Sequence, residues 1–287
     1  MGHDFYEASA AAKAVFDEAA ELLGQEFLER LFHGNEEELR DTRVTQPALV
    51  TVELAIHAHL ADAGIQPECV AGHSIGELAA LAAAGCISTA EAIRLSDERG
   101  RAMAEEAPPG AMAAIMGMDV SAIDLVLPAG VEIVNFNGPA QTIISGTEQG
   151  IETARETLER CGARRLIRLN VSGPFHCSLM QPAADRFSKV VRSIALAPPR
   201  CTFISSVSGK EESDPERIRE LLSSQIASPV RWTQVMSLVP PGEVLEVGPG
   251  GVLQGIGRRI DGTPPIRPAG AFAQAQAWIG ARKAEPA

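Results

Sequence analysis

The sequence contains no apolar run long enough to cross a bilayer. Its longest strongly apolar stretch, around Leu78 to Ala84, is bounded by Glu77 and Gly85, whereas a transmembrane helix needs roughly 18 to 20 apolar residues. The first ten residues, MGHDFYEASA, are acidic where a signal peptide would have a basic segment and an apolar run. We therefore expect no membrane association, no export and a cytoplasmic location.

Cysteine is scarce, and its spacing follows no metal-binding or disulfide pattern. The chain has five cysteines, an odd number, and none belongs to a C-x-x-C pair. This arrangement argues against a disulfide framework and against a zinc cage. We expect reduced thiols and no metal ion. The five residues are Cys69, Cys86, Cys161, Cys177 and Cys201.

Basic residues are fewer than acidic ones. Lys and Arg number 25 against 37 Asp and Glu, which gives a formal net charge of −12. Nucleic-acid binding depends on clustered positive charge that contacts phosphates, so we expect no nucleic-acid partner. The remaining composition, 45% apolar and 22% charged, is that of a globular chain with one large domain or two modest ones.

The first hundred residues predict helices around one short strand. Apolar residues recur at helical spacing over 8–23 and 46–63, and each stretch is followed by a Gly that can cap a helix. The apolar run in 68–74, ECVAGHS, ends in a Gly-rich turn and precedes a stretch rich in helix formers. Ser88 and Glu91 make a capping box for a further helix that extends to about 107.

Residues 110–172 have a different pattern. They predict the order β-α-β-β-α-β, which is that of a ferredoxin-like unit. After this segment, strands again alternate with helices, which implies a mainly parallel, helix-covered sheet. We therefore expect an α/β fold in which 1–109 and 173–287 form a large subdomain and 110–172 an inserted small one. The Ala/Glu/Pro tail after Gly280 is expected to be loose.

GHSIG, residues 72–76, fits the nucleophile-elbow pattern G-x-S-x-G. In such an elbow, small residues on either side let the chain turn tightly and present a Ser hydroxyl at the start of a helix. The predicted strand before it and the Ala-rich helix after it supply the required setting. Ser74 is therefore a candidate nucleophile, and the alternative is a structural turn.

A serine nucleophile needs a base, and histidine is the usual one because its pKa lies near neutrality. His57 and His59 lie in an amphipathic helix, and His73 at the end of a strand should point away from Ser74. His176 is the histidine that follows the serine, at a strand end where α/β sites form. Its alternative is a helix-start histidine without a role.

The third member of a triad is not evident from the residues alone. In hydrolases with the order Ser-acid-His, the acid lies between the other two. Here that interval contains the predicted insertion and no acid in a recognisable setting. A backbone carbonyl that orients the imidazole is the alternative.

Arg99 lies on the predicted helix that starts near Ser88. Helical spacing puts it on the face of Leu95 and Met103, where an arginine is costly unless it is paired. The functional interpretation is a bidentate clamp for a substrate carboxylate. A surface arginine with a buried stem is the other interpretation.

With these residues in view, the chain resembles the malonyl-CoA:acyl carrier protein transacylases of fatty acid and polyketide synthesis. The resemblance runs from residue 1 to about residue 275. The motifs that carry it are TQPAL (45–49), AGHSIGELAALAAAG (71–85), ERGRAM (98–103), GAMAAIMG (110–117), NFNGPAQ (135–141), SGPFHCSLM (172–180), Gln225 with PVRW (229–232), and EVGPGGVLQG (246–255).

The resemblance implies an α/β-hydrolase-like large subdomain with a ferredoxin-like insertion, and a role for each matched residue. Ser74 would be the acylated nucleophile, His176 the base and Arg99 the partner of the malonyl carboxylate. The main-chain carbonyl of Gln225 would orient His176, and the Ile75 N–H would bind the oxyanion. Phe175 matches a form found in malonyl-selective relatives. Residues expected to line or support the pocket are Gln46, Asn135 and Asn137.

One departure from the family pattern concerns the start of the chain. Family members begin with a strand and a GQGSQ-like loop that donates a second N–H to the oxyanion, and this sequence starts just beyond it. The sequence predicts that a longer form would be more stable and acylated faster, because one oxyanion donor is worth roughly 10²- to 10³-fold in turnover.

The expected activity is malonyl transfer from coenzyme A to an acyl carrier protein through a malonyl-serine intermediate, with no cofactor. The alternatives are a serine esterase or thioesterase, and a weakly active carrier-protein-binding subunit. We expect a monomer. An acidic carrier protein would need a local basic patch, for which the candidates are Arg164, Arg165, Arg168, Lys189, Arg192, Arg258 and Arg259.

Overall fold

The segments with helical apolar spacing form helices, and these helices pack around three small sheets. The computed structural model describes residues 1–139 and 141–284. The helices of this part are α1 (His3–Ala8), α2 (Ala10–Leu23), α3 (Gln25–His33), α4 (Thr42–Asp62), α5 (Gly76–Ala83), α6 (Thr89–Glu106), α7 (Val120–Asp124), α8 (Glu148–Arg160), α9 (Gln181–Val191), α10 (Pro215–Ser224), α11 (Trp232–Leu238), α12 (Val252–Gly257) and α13 (Phe272–Ala284).

The strands of the described residues range from two residues in β7 to eight in β3. They are β1 (Cys69–Ala71), β2 (Ala111–Met116), β3 (Val131–Gly138), β4 (Gln141–Gly146), β5 (Arg165–Arg168), β6 (Thr202–Ser205), β7 (Lys210–Glu211), β8 (Val244–Glu246) and β9 (Ile266–Pro268).

The described strands form three sheets. In the first, with order β1-β6-β7, β1 and β6 are parallel and Val70 lies opposite Phe203, while β7 is antiparallel. The second has the order β3-β4-β2-β5 and is antiparallel throughout. In the third, β8 and β9 are parallel. The α/β class is confirmed, and parallel pairing is confined to two short strand pairs.

The buried apolar residues form three clusters between the helices and the sheets. The largest joins the N-terminal helices to α4, α5, α6 and α9. A second lies between the four-stranded sheet and helices α7 and α8, and a third surrounds α11, α12 and the β8-β9 pair. At roughly 25 cal/mol per Å² of apolar area removed from water, these clusters are the main source of stability.

Local signals define the starts of three helices, one as predicted and two at other positions. The Ser88 hydroxyl accepts the Glu91 N–H, and the Glu91 carboxylate accepts the Ser88 N–H at 2.9 Å, so the predicted capping box is present at the start of α6. Helix α4 begins four residues earlier than predicted, at Thr42, because the Asp41 side chain accepts the Arg43 N–H. Pro182 lies at the first turn of α9, which begins after a 3-10 turn rather than at residue 176.

The C-terminal segment differs from the expectation of a loose tail after Gly280. Helix α13 continues to Ala284, because Trp278 and Ile279 are buried against the largest cluster and anchor the helix. Residues 285–287 lie outside the described residues.

Helices α1, α3, α11 and α13 were not predicted. Helices α1 and α11 are short, with six and seven residues, whereas the helical spacing of Phe27, Leu28 and Leu31 in α3 was a signal that could have identified that helix.

The segment after α10 connects two of the sheets. Gln225–Ala227 form a 3-10 turn, and Val230 then pairs with β3, donating its N–H to Val134 O at 2.7 Å and accepting the Phe136 N–H at 2.9 Å. The next N–H, of Arg231, donates to Ser206 O just beyond β6. This segment therefore lies between the first and second sheets, beside the end of β1.

Candidate active site

Ser74 sits on a sharp turn between β1 and α5. Its backbone is left-handed, with φ at 52°, and its side chain is half-buried. A Cβ on Gly72 would lie 2.1 Å from the Gly76 carbonyl carbon, so only glycine fits at the first elbow position. The predicted strand-turn-helix setting is present, and it exposes the Ser74 hydroxyl at the start of a helix.

The hydroxyl of Ser74 lies against the imidazole of His176. Ser74 Oγ is 2.7 Å from His176 Nε2, and the imidazole is buried. On its other side, His176 Nδ1 lies 2.9 Å from Ser228 O and 3.2 Å from Gln225 O. Carbonyls only accept hydrogen bonds, so Nδ1 carries the proton and Nε2 is free to accept the Ser74 proton.

The environment of His176 favours the neutral imidazole. Burial, together with the positive charge of Arg99, lowers its pKa to about 3, whereas the two carbonyls at Nδ1 act in the opposite direction. The imidazole is therefore uncharged near neutral pH, with Nε2 unprotonated and able to accept a proton. A base of this kind needs neighbours that stabilise the imidazolium once the proton has moved.

Arg99 is fully buried on α6, and its guanidinium faces the serine. Its Nη2 donates to Ser74 Oγ at 3.2 Å, its Nε donates to Gln225 Oε1 at 2.9 Å and its Nη1 donates to Gln46 Oε1. Nη1 also lies 3.2 Å from Met103 Sδ, a weak acceptor. The surface alternative for this arginine does not agree with its burial.

Burial lowers the pKa of Arg99 to about 10, and the charge of Glu77 opposes that shift. The guanidinium is therefore cationic at neutral pH. A buried cation beside a reactive hydroxyl provides a recognition point for an anionic substrate group.

Of the remaining predicted residues, some contact Arg99 and others lie behind the serine turn. Gln46 and Gln225 contact Arg99 directly, as described. Asn137 Oδ1 lies 2.9 Å from Nε2 of His73, so it supports the residue before the serine and not the serine itself. Asn135 lies two residues before Asn137 on β3 and is buried, and its Oδ1 has no hydrogen-bond partner within residues 1–139 and 141–284.

Ile75 and Phe175 flank the two reacting side chains. In the described part of the chain, the Ile75 N–H donates to no other backbone or side-chain group, whereas the following N–H groups of Gly76 and Glu77 are bonded within the turn. It is thus available to an oxyanion formed at Ser74. Phe175 is buried immediately before His176, with its ring beside Gly173.

Sequence reasoning missed four contacting groups: the Ser228 carbonyl, Met103 as a partner of Arg99, and the Glu77 and Ser206 side chains. The Glu77 carboxylate is buried and accepts from the Gln225 amide and from Ser206. Its position directly after the elbow, at the buried start of α5, was a signal that could have identified it.

Metal-binding clusters and membrane-spanning helices are both absent from the described residues. Among these residues no group of three or more His, Cys, Asp or Glu side chains is arranged to hold a metal ion. None of their helices has the length and apolar character that a bilayer crossing requires.

The arrangement as a whole can perform nucleophilic acyl transfer. A hydroxyl with an adjacent neutral imidazole can attack an activated acyl group and form an ester, and a free N–H at the helix start can stabilise the tetrahedral oxyanion. The buried guanidinium can form charged hydrogen bonds to an acyl group that carries a carboxylate.

Curated relatives match this chain over most of their length. The malonyl CoA-acyl carrier protein transacylase of Bacillus subtilis (strain 168) is 40% identical over 272 residues, which are 91% of this chain and 86% of the relative. The enzyme of the same name from Escherichia coli (strain K12) is 38% identical over 257 residues, with coverages of 86% and 83%.

Solved structures resemble the fold closely. A malonyl-transacylase, MCAT, from Streptococcus pneumoniae superposes with a TM-score of 0.90 at 34% identity, covering 98% of this chain and 95% of its own. A holo complex of a type II PKS acyl-carrier protein with its malonyl-transacylase gives a TM-score of 0.92 at 36% identity, with coverages of 98% and 94%. The family model described as "Acyl transferase domain" matches residues 1–259. The chain therefore belongs to the acyl transferase family.

Proposed function

We propose that this protein transfers a malonyl group from coenzyme A to the phosphopantetheine thiol of an acyl carrier protein. The observation that carries the proposal is the placing of a fully buried, cationic Arg99 within hydrogen-bond distance of a serine that is itself bonded to His176. The names of the relatives support the same acyl donor and acceptor.

Acylation starts with the malonyl carboxylate on Arg99. Ser74 Oγ attacks the thioester carbonyl while its proton passes to His176 Nε2, 2.7 Å away. The oxyanion of the tetrahedral intermediate accepts the Ile75 N–H. Collapse breaks the C–S bond, and the coenzyme A thiolate leaves with the proton from His176, so that malonyl-Ser74 remains.

The second half-reaction runs in reverse with a new thiol. The phosphopantetheine thiol gives its proton to His176, and the resulting thiolate attacks the ester carbonyl. Ser74 then leaves as the alkoxide and recovers the proton. During both halves the imidazolium is stabilised by the carbonyls of Gln225 and Ser228. These two carbonyls replace the acid of a Ser-His-acid triad. The proposed reaction uses these two substrates and no cofactor.

The two alternatives differ from this proposal in their acceptor or their chemistry. An esterase or thioesterase uses water as acceptor and needs no buried cation beside the nucleophile, so the burial of Arg99 disfavours it. A carrier-protein-binding subunit with weak activity would not need the short Ser74–His176 contact.

We further propose that Phe175 limits the acyl pocket to malonyl-sized groups, since it is buried directly beside His176.

Intact-mass measurement after mixing the protein with malonyl-CoA tests the proposal. A mass gain of one malonyl group, lost on addition of phosphopantetheinylated carrier protein, is the expected result. No mass gain would indicate a binding subunit, and loss of the group in buffer as fast as with carrier protein would indicate an esterase.

We also propose that 110–172 is a ferredoxin-like subdomain inserted into an α/β-hydrolase-like large subdomain formed by 1–109 and 173–287. The strand order β3-β4-β2-β5, two helices and a separate apolar cluster support this division. Expression of 110–172 alone tests it, since an independent unit should give a cooperative thermal transition.

A carrier protein is acidic, so its docking needs local positive charge on this acidic chain. Three of the seven candidate basic residues, Arg164, Arg165 and Arg259, line one groove of about 560 Å³ next to β2 and β5. Arg168 is paired with Glu148 at 2.5 Å, and Arg192 lies in another groove beside acidic residues. We propose the first groove as the docking surface.

We propose a cytoplasmic monomer as the working state. The five cysteines are all unpaired, which suits a reducing compartment. Light scattering of the purified protein tests the oligomeric state.

A further inference from the structure

The proposed mechanism leaves one buried carboxylate near the serine without a role. Glu77 is 2% exposed, at the start of α5. Its Oε1 accepts the Ser206 N–H at 3.1 Å, and its Oε2 accepts the Ser206 hydroxyl at 3.1 Å and the Gln225 amide N–H. A buried carboxylate with this many donors is held in one orientation, because releasing any of them would leave a polar group unpaired.

Glu77 determines which way the Gln225 amide points. Gln225 Nε2 lies between two acceptors, the Glu77 carboxylate and Ser74 O at 3.1 Å. Its Oε1 must then face the other way, where it accepts from Arg99 Nε at 2.9 Å. If the amide turned over, Nε2 and the Arg99 N–H would meet as two donors.

Glu77 is also the acidic group that complements Arg99. Burial raises the pKa of Glu77, and the hydrogen bonds that it accepts from Gln225 and Ser206 act in the opposite direction and favour the carboxylate. The atoms that the guanidinium contacts belong to neutral groups: Gln46, Gln225, Met103 and Ser74. Among the described residues, Glu77 is the carboxylate whose charge raises the pKa of Arg99. It reaches the guanidinium through the Gln225 amide and not by a direct ion pair.

The Gln225 amide between Glu77 and Arg99 leaves part of the guanidinium free for a substrate. A direct pair with Glu77 would occupy the guanidinium edge that a substrate carboxylate needs, since an arginine recognises a carboxylate through two parallel N–H groups. With Gln225 as spacer, the cation is compensated on its Nε side. Nη2 then faces the serine, and Nη1, which donates one hydrogen to Gln46 Oε1, has for its other hydrogen a weak sulfur partner that a carboxylate can displace.

From these contacts we infer that Glu77 is a positioning residue for substrate selection: through the Gln225 amide it holds Arg99 charged and oriented to receive the carboxylate of the acyl group. The inference rests on the proposed function. It assigns to the residue three places after the elbow serine a role in specificity, and Glu77 itself touches neither substrate nor the reacting atoms.

The test measures kcat/KM for malonyl-CoA and acetyl-CoA in the Glu77→Gln variant. A glutamine cannot accept from both Ser206 N–H and the Gln225 amide, so the amide must turn or lose a partner. We expect the malonyl-to-acetyl ratio to fall about tenfold or more, since a hydrogen bond to a charged group contributes about 1.5 to 3 kcal/mol. The loss should appear mainly in KM for malonyl-CoA.

Glu246→Gln is the matched control. Glu246 is also buried, and its two oxygens accept the N–H groups of Leu253 and Gln254 at 2.8 Å, away from Arg99. This variant should melt at a lower temperature than the parent and keep the parent ratio. An equal change of the ratio in both variants would make Glu77 a general structural residue and overturn the inference.

A double-mutant cycle distinguishes action through Arg99 from independent effects. In an Arg99→Ala background, adding Glu77→Gln should leave the malonyl-to-acetyl ratio unchanged, whereas additive losses would contradict the inference. If Glu77→Gln does not fold, the Gln225→Leu variant interrupts the same connection and retains the main-chain carbonyl. An unchanged malonyl-to-acetyl ratio in Gln225→Leu would overturn the inference. If the parent protein forms no malonyl-serine, the proposed function fails instead.

Discussion

Ser74 and His176 share a backbone conformation as well as a hydrogen bond. They are the two non-glycine residues with positive φ in the described part of the chain, at 52° and 66°. A left-handed residue with a Cβ costs roughly 1 to 3 kcal/mol and persists only where its surroundings impose it. Here the Glu77 N–H donates to Ser74 O, and the His176 N–H donates to Ile226 O. Backbone strain therefore coincides with the two reacting side chains.

This strain gives a prediction with two variants at one position. Ser74→Ala and Ser74→Gly should both abolish covalent labelling by malonyl-CoA, because the hydroxyl is the proposed acyl acceptor. Ser74→Gly should be about 1 kcal/mol more stable than Ser74→Ala, since glycine adopts positive φ without steric cost. Intact mass and urea unfolding measure the two effects, and labelling of either variant would contradict the assignment of Ser74.

Arg99→Ala should reduce malonyl transfer far more than acetyl transfer. The lost contact is with a carboxylate that acetyl lacks, and it contributes about 1.5 to 3 kcal/mol, or roughly 10- to 150-fold in kcat/KM. Arg101→Ala is the control, because Arg101 lies on the same helix but is exposed and paired with Asp97 at 2.8 Å. Equal losses for both substrates would make Arg99 a structural residue.

The pH profile of acylation should lack the step near pH 6.5 that an ordinary histidine produces. Because burial and Arg99 lower the pKa of His176 to about 3, the imidazole stays neutral, and able to accept the serine proton, as pH falls from 8 to 5. Rapid-quench measurement of malonyl-Ser74 formation should give a constant kcat/KM over this range. Half-maximal activity near pH 6.5 would show that the pKa of His176 is not lowered in this way.

Glu53 on α4 should make the fold less stable at alkaline pH. Burial raises its pKa to about 8 from 4.5, and its Oε2 has no hydrogen-bond partner among residues 1–139 and 141–284. Between these two pH values the folded state binds a proton that the unfolded state releases. Stability is therefore full below pH 4.5 and is lost as pH rises towards 8.

Glu53→Gln should remove that loss, with the variant more stable than the parent by about 1 to 3 kcal/mol at pH 8.5 and nearly equal to it at pH 5. Thermal melts at the two pH values measure the difference. Glu29→Gln, at an exposed position of α3, should show no such pH dependence. A constant difference at both pH values would indicate that Glu53 is ionised in the folded protein.

Charge reversal in the proposed docking groove should separate the two half-reactions. Arg164→Glu and Arg165→Glu should raise KM for the carrier protein about tenfold together. The rate of malonyl-Ser74 formation should stay at the parent value, because the residues that line the groove include neither Ser74, His176 and Arg99 nor any hydrogen-bond partner of Arg99. Arg155→Glu, an exposed position on α8, is the control. An unchanged KM for the carrier protein would exclude this groove.

Local patterns account for Ser74 and for the buried face of Arg99, whereas the family resemblance supplied Gln46, Asn135, Asn137, Phe175 and Gln225. The elbow requires small residues at fixed positions, and helical spacing alone places Arg99 on a buried face, so both follow from the order of the residues.

Glu77 meets Ser206 and Gln225 across long stretches of chain, and Ser228 contacts His176 through a main-chain atom. Met103 lies one helical turn after Arg99, but a thioether sulfur is only a weak acceptor and gives little sequence signal. A carbonyl such as Ser228 O has no side-chain signature, so a search for an acid could not find it.

The pairing of Val230 with β3 has a consequence for proton transfer. Val230 is held by Val134 and Phe136 on one side, and Arg231 by Ser206 on the other, so the Ser228 carbonyl at His176 Nδ1 is restrained by both sheets. The distance over which the serine proton travels is thus set by the alignment of two separate sheets. A mutation deep in β3, far from the serine, would shorten or lengthen that path without changing any reacting group.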